Sequence, residues 1–330
     1  MSLTRCLKDP RSPLSRFLAA ELPAVATLAR VYRSRLPLDP ETVTPHGTAP
    51  FSYRSLGQAI DLRLRIAFGT PVGAPLQAGV DLAVGDTAYL ASIPIADAVQ
   101  EAGDSLLAEL RTHPAATPGA MLLDPVAEER LARLCFVAAW FEEVFRQGMR
   151  DGNPLLQAPP GQGLEGLLAL VPDYVPGDLG GQAALADRPD TLQWILNLPV
   201  SGRVCGPVFG GSGHVGGADA DFIAAGHLID CKSTIRPRRM GRPELYQLAG
   251  YLLLDYDNAY GIEQVSLYLA RQGRLIGWSP EKFLQLLGAR RSLSELREVC
   301  QQALGAPAET ASTLLPRQAV CEQEALFGEA

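Results

Sequence analysis

The stretch from Gly217 to Thr234, Gly-Ala-Asp-Ala-Asp-Phe-Ile-Ala-Ala-Gly-His-Leu-Ile-Asp-Cys-Lys-Ser-Thr, constrains the chain more than any other. Two short apolar runs, Phe222-Ile223-Ala224 and Leu228-Ile229, flank Ala225-Gly226. That pattern predicts a β-hairpin in which Gly226 supplies the positive φ of the turn. Symmetric pairing sets Ala224 opposite His227, Phe222 opposite Ile229, Asp221 opposite Asp230 and Asp219 opposite Lys232. Side chains alternate along a strand, so Asp219, Asp221, Asp230 and Lys232 share one face and Phe222 and Ile229 take the other. Directly opposed residues have Cβ atoms about 4.5–5.5 Å apart, where like charges destabilise the pair. Asp221 facing Asp230 therefore calls for a cation between them. Mg²⁺ is the natural one, because it is held by one or two carboxylates together with water and phosphate oxygens. With the Lys232 ammonium beside the same spot, the set suits hydrolysis of a phosphodiester: a metal to activate water and a lysine to steady the developing charge.

Asp221 followed, after a short hairpin, by Asp230-Cys231-Lys232 resembles the PD-(D/E)xK nuclease motif. Downstream, Glu244-Leu-Tyr-Gln247-Leu-Ala-Gly-Tyr251 resembles the Gln-x-x-x-Tyr helix of the RecB- and Cas4-like branch of that superfamily. Ala220 stands where the motif has proline, and Asp219 and Asp221 are both candidates for the first acidic position. The resemblance spans residues 205–280. It implies a restriction-endonuclease-like mixed sheet flanked by helices, and a Mg²⁺- or Mn²⁺-dependent deoxyribonuclease active in bacterial defence or DNA repair. The metal would be held by Asp221 and Asp230 with the main-chain carbonyl of Cys231, Asp219 standing in reserve. Lys232 would position the attacking water, and Gln247 and Tyr251 would orient Lys232 or the substrate. Some members of the superfamily also take an acidic residue from an upstream helix, a role open here to Glu142 or Glu143, which compete with the plainer reading of surface glutamates.

A net charge of −7 argues against a protein that coats nucleic acid along its whole surface. Locally the balance reverses, since Lys232, Arg236, Arg238, Arg239 and Arg242 occur between Cys231 and Pro243 with no acidic residue among them. Arg236, Arg238, Arg239 and Arg242 are accordingly expected to hold a DNA backbone. The six cysteines are scattered without a C-x-x-C pair, which fits reduced thiols rather than a disulfide framework. No signal-peptide pattern and no long uncharged apolar run occurs, so a cytoplasmic protein without membrane contact is expected.

The rest of the chain reads as an α/β protein with a mainly helical region over 1–200, a nuclease core over 201–305 and a loosely held tail over 306–330. Apolar spacing predicts short helices over 14–36 broken at Pro23, and longer ones over 53–68, 86–110 and 125–147. Arg54, Arg63 and Arg65 are expected on the solvent face of 53–68. Residues 69–83 and most of 151–190 read as Gly/Pro-rich loop, with one short helix near 164–170. A hairpin is expected over 265–278 around Gln272-Gly273, then helices from Ser279-Pro280 and over 292–304. Two other readings stand beside the nuclease. One is a nuclease fold that binds nucleic acid without cleaving it; the active nuclease, for its part, is open to acting as a homo-oligomer or with an activating protein partner. The other is a nucleotide-cofactor enzyme using Gly211-x-Gly213-x-x-Gly216, which would need a strand before that run and a helix after it.

Overall fold

The computed structural model describes residues 2–48, 50–70, 73–113, 121–218 and 220–305. Asp219 and the tail expected over 306–330 lie outside the described residues. Five strands form one mixed sheet in chain order: β1 (Arg203–Cys205), β2 (Phe222–Ala224), β3 (His227–Lys232), β4 (Gln264–Leu269) and β5 (Arg274–Trp278). Neighbours are antiparallel except β3 and β4, which run parallel. The hairpin takes the register expected from its sequence, with Phe222 opposite Ile229 and Ala224 opposite His227. Both turn residues are left-handed, Ala225 at φ 47° and Gly226 at φ 76°. A side chain at Gly226 would also sit 2.9 Å from the Gly261 carbonyl, so only glycine fits there.

The helices are α1 (Leu3–Lys8), α2 (Pro13–Glu21), α3 (Val25–Ser34), α4 (Tyr53–Ala67), α5 (Ala74–Leu90) and α6 (Ile93–Thr112), followed by α7 (Pro125–Gln147), α8 (Gly163–Ala169) and α9 (Tyr174–Ala186). After the hairpin come α10 (Arg242–Leu254), α11 (Pro280–Leu287) and α12 (Leu293–Ala303). The sheet separates two apolar cores. Phe222, Ile229 and Tyr268 pack against α4 to α9, where the Phe68 ring meets Phe222 edge-on at 5.2 Å. Ile223, Leu228, Val265 and Leu267 pack on the opposite face against α1 to α3 and α10 to α12. The chain preceding the sheet thus contributes to both faces. α10 is the crossover that the parallel pair β3 and β4 requires. No helix among the described residues is long and apolar enough to cross a membrane.

Three expectations fail, the first and third for one physical reason. α5 begins at Ala74 inside the expected loop, a break at Ala91-Ser92 divides the expected helix over 86–110, and α9 occupies the expected irregular stretch. Glycine here serves packing rather than chain breaking. A Cβ at Gly79 would lie 2.3 Å from the Phe141 carbonyl oxygen, so the glycine lets α5 lie directly on α7. Pro75 and Pro176 sit in the first turns of α5 and α9, where no intrahelical N–H bond is lost.

Candidate active site

Asp221 ends the loop entering β2, and its carbonyl accepts the N–H of Gly206. Its side chain crosses to the neighbouring strand, where Oδ2 accepts the N–H of Cys231 at 2.6 Å. Asp230 lies on β3 and is 1 % exposed. The Lys232 ammonium comes within 2.6 Å of Asp230 Oδ2 as an ion pair. Asp230 Oδ1 is buried without a partner. Lys232 Nζ donates to Gln247 Oε1 at 3.0 Å, and Gln247 Nε2 donates to the Tyr251 hydroxyl at 2.7 Å. Gln247 and Tyr251 lie one turn apart on α10, as the i, i+4 spacing requires. Glu244 fixes the start of that helix by accepting the N–H of Gly241 at 2.8 Å. The structure thus gathers Asp221, Asp230, Lys232, Gln247 and Tyr251 at one end of the sheet. Cys231 stands among them with its side chain turned to the other core.

The carboxylates are electrostatically costly as they stand. Burial pushes Asp221 well above the ordinary carboxylate range, and the charges of Asp61 and Asp230 push it further against the opposing pull of Lys232 and Arg65. Burial also raises Asp230, with Asp61 and Glu244 adding to the effect and Lys232 opposing it. Burial alone would lower Lys232, yet Asp230 and Asp221 outweigh it and hold the ammonium above its usual value. Excess negative charge with buried, unpartnered carboxylate oxygen is the condition a hard cation relieves.

Asp61, on α4, is the acidic residue that the sequence reading passed over. Its Oδ2 pairs with Arg65 at 2.8 Å, its Oδ1 is buried without a partner, and its charge acts on both Asp221 and Asp230. The one local signal is an aspartate one turn before an arginine, Asp61 being the single acidic residue of α4. Of the two expected glutamates, Glu143 pairs with Arg54, whereas Glu142 pairs with Arg146 and is raised by burial, with the charge of Asp61 adding to the effect and Arg146 and Arg65 opposing it. Two of the three arginines of α4 also differ from expectation, Arg54 alone being exposed. Arg63 is 1 % exposed and held by both oxygens of Glu128, while Arg65 lies between Asp61 and Asp221.

Of the basic segment, Arg236, Arg239 and Arg242 are exposed, and the Arg242 guanidinium lies 5.0 Å over the Tyr246 ring. Arg238 has a different task, donating to the carbonyls of Arg33, Leu36 and Pro37 at the end of α3. His227 stacks on Trp194 and bonds Ser266 Oγ at 2.6 Å, and burial lowers its pKa to about 4. The run Gly211 to Gly216 itself forms a single 3-10 turn over Ser212–Val215, and the next element is β2 rather than the helix a dinucleotide site requires.

Among the described residues no group of three or more His, Cys, Asp or Glu forms a preformed metal cluster. Two carboxylates with a main-chain carbonyl nevertheless match the sparse protein ligation of a Mg²⁺ that keeps several waters. In comparisons with known proteins, the chain matches no family model, no curated protein and no solved structure.

Proposed function

We propose that the chain is a metal-dependent phosphodiesterase. The observation that carries this is the buried pair Asp221 and Asp230, both raised above the ordinary carboxylate range, with unpartnered Asp230 oxygen beside the Lys232 ammonium. More particularly, it is a Mg²⁺- or Mn²⁺-dependent deoxyribonuclease resembling the RecB- and Cas4-like branch of the PD-(D/E)xK superfamily. The antiparallel β1-β2-β3 run, followed by α10 and the parallel β4, supports the restriction-endonuclease-like core that this resemblance implies.

Asp221, Asp230 and the Cys231 carbonyl would hold the divalent cation, with Asp61 as a further carboxylate at the rim. When bound, the ion supplies Lewis acidity and a water of lowered pKa. Lys232 does the rest of the electrostatic work. Its charged ammonium, steered by Gln247 and Tyr251, orients the nucleophilic water and balances negative charge on the phosphorus oxygens. Arg236, Arg239 and Arg242 supply exposed positive charge for the DNA backbone.

Incubation of plasmid and linear DNA with Mg²⁺ or Mn²⁺ tests this. Wild type cleaves, and Asp230→Asn and Lys232→Ala each lose about 10²-fold or more while retaining the wild-type circular dichroism. Cleavage that survives both substitutions would remove these residues from the chemistry. DNA binding without cleavage by wild type would establish the non-catalytic reading instead.

A further inference from the structure

Strand β5 lies at the edge of the sheet and carries a groove of about 460 Å³ lined by Arg35, Arg188, Asp190, Gln272 and Arg274. Arg188 and Arg274 are exposed, and neither guanidinium is engaged in a hydrogen bond or ion pair among the described residues. Arg35 is anchored, donating to the Gly277 carbonyl at 2.7 Å and lying 5.0 Å over the Trp278 ring. That contact leaves most of its five donors free. Gln272 is 5 % exposed, with its amide donating to Thr42 Oγ1 and the Thr234 carbonyl, while its Oε1 is buried without a partner. Three guanidiniums against one carboxylate, Asp190, leave the groove positive, and Gln272 adds an acceptor with nothing to accept.

The position of the groove relates it to the carboxylate site. Arg274 pairs with Leu269, and Leu269 pairs with Lys232. Paired residues share a face, so Arg274 stands at the Lys232 end of the sheet, two strands away. That is about 10 Å at the usual strand spacing. The hydrogen bond from Gln272 to the Thr234 carbonyl joins the groove wall to the residues that follow Lys232.

We propose that this groove is a subsite for the sugar–phosphate backbone of the strand whose phosphodiester lies at Asp221 and Asp230. Arg188 and Arg274 take a phosphate of that strand near the scissile one, and Gln272 Oε1 accepts a hydrogen bond from the sugar or base edge. The inference rests on the nuclease reading and adds the direction in which the substrate leaves the site, across β4 and β5. The excess of guanidinium favours a polyanion over a peptide strand adding to the β5 edge.

The test is fluorescence anisotropy of a labelled single-stranded DNA oligonucleotide with the full chain, in EDTA so that nothing is cleaved, over a series of NaCl concentrations. The Arg188→Ala/Arg274→Ala double variant is compared with wild type and with Arg11→Ala/Arg111→Ala, a control of equal charge change. The expected result is binding weakened about tenfold at low salt in the double variant. The slope of log affinity against log salt should also shrink by about 1.4, two contacts at roughly 0.7 each for a single strand. The control keeps both the affinity and the slope of wild type. Superposition of the double variant on the control overturns the proposal, as does a wild type that binds no oligonucleotide. Adenosine monophosphate competing at the same concentration as the oligonucleotide overturns the assignment to a strand. Because the readout needs no metal, a wild type that binds through these arginines but cleaves nothing would refute the nuclease alone. One that cleaves while the double variant binds normally would refute the groove alone.

Discussion

Asp178 on α9 and Arg271 after β4 form an ion pair whose side chains are 0 % exposed, with Nη1 and Nη2 reaching Oδ1 at 2.6 Å and Oδ2 at 3.0 Å. Asp178→Ala would strand the guanidinium inside the protein. Breaking one partner of a buried pair costs about 3–5 kcal/mol, because the remaining charge is left without compensation. Unfolding entropy of about 2.1 cal/mol/K per residue turns that penalty into a fall in Tm of about 4–7 °C for a chain of this length unfolding cooperatively. The exposed pair of Arg130 and Glu109 makes the contrast. Glu109→Ala there should cost about 0.2–1 kcal/mol and shift Tm by about 1 °C or less. The buried pair also reaches the site, since Asp178 Oδ2 accepts from Gln182 Nε2 and Gln182 Oε1 accepts from Ser233 Oγ, the residue after Lys232. Asp178→Ala should therefore lower the cleavage rate as well as Tm. The combined Asp178→Leu/Arg271→Met variant should recover most of the stability, because an apolar pair leaves no buried charge. Differential scanning calorimetry decides the matter. An Asp178→Ala protein melting within 1 °C of the Glu109→Ala protein would refute this account of the pair.

Two further substitutions test local claims. Asp221→Asn should stabilise the protein in EDTA by about 0.5–2 kcal/mol, a rise in Tm of about 1–3 °C, while abolishing cleavage, the usual exchange of function for stability at a strained site. The sign follows from the raised folded-state pKa: the folded protein holds the proton more tightly, so stability falls as pH rises through that window and a neutral side chain removes the loss. A lowered Tm for that variant, checked by scanning fluorimetry between pH 5 and pH 8, would contradict the burial argument. Ala225→Gly should stabilise by about 0.5–1 kcal/mol, because the φ of 47° at Ala225 lies where glycine is comfortable and alanine is not. Urea denaturation showing a loss instead would mean the alanine methyl contributes more than the strain costs.

The hairpin, its register and the shared face of Gln247 and Tyr251 were legible in the sequence because each depends on local periodicity, two residues in a strand and four along a helix, while the meeting of Lys232 with Gln247 was what the nuclease resemblance implied. A turn with glycine at its second position and alternating apolar residues leaves few other ways to pair. What escaped was set by tertiary contact. Asp61 lies far from the hairpin in sequence and joins the site only because α4 packs over the Phe222 face of the sheet. Arg63 reads as solvated until Glu128 arrives from α7. Gly79 and Pro75 signal a loop to any local rule, yet the close approach of α5 to α7 needs the glycine. β1, three residues long and followed by Gly206 and Pro207, is too short to show alternation and exists because β2 offers it an edge.

The central claim is that Asp221 and Asp230 form a divalent-cation site, and Mn²⁺ titration followed by electron paramagnetic resonance tests it most directly. Wild type should bind an ion with an affinity that rises with pH, since carboxyls held above their usual range must give up a proton as the metal enters. Asp221→Asn and Asp230→Asn should each lose that binding while remaining folded. Equal Mn²⁺ binding by wild type and both variants, or none by wild type at millimolar ion, would contradict the account.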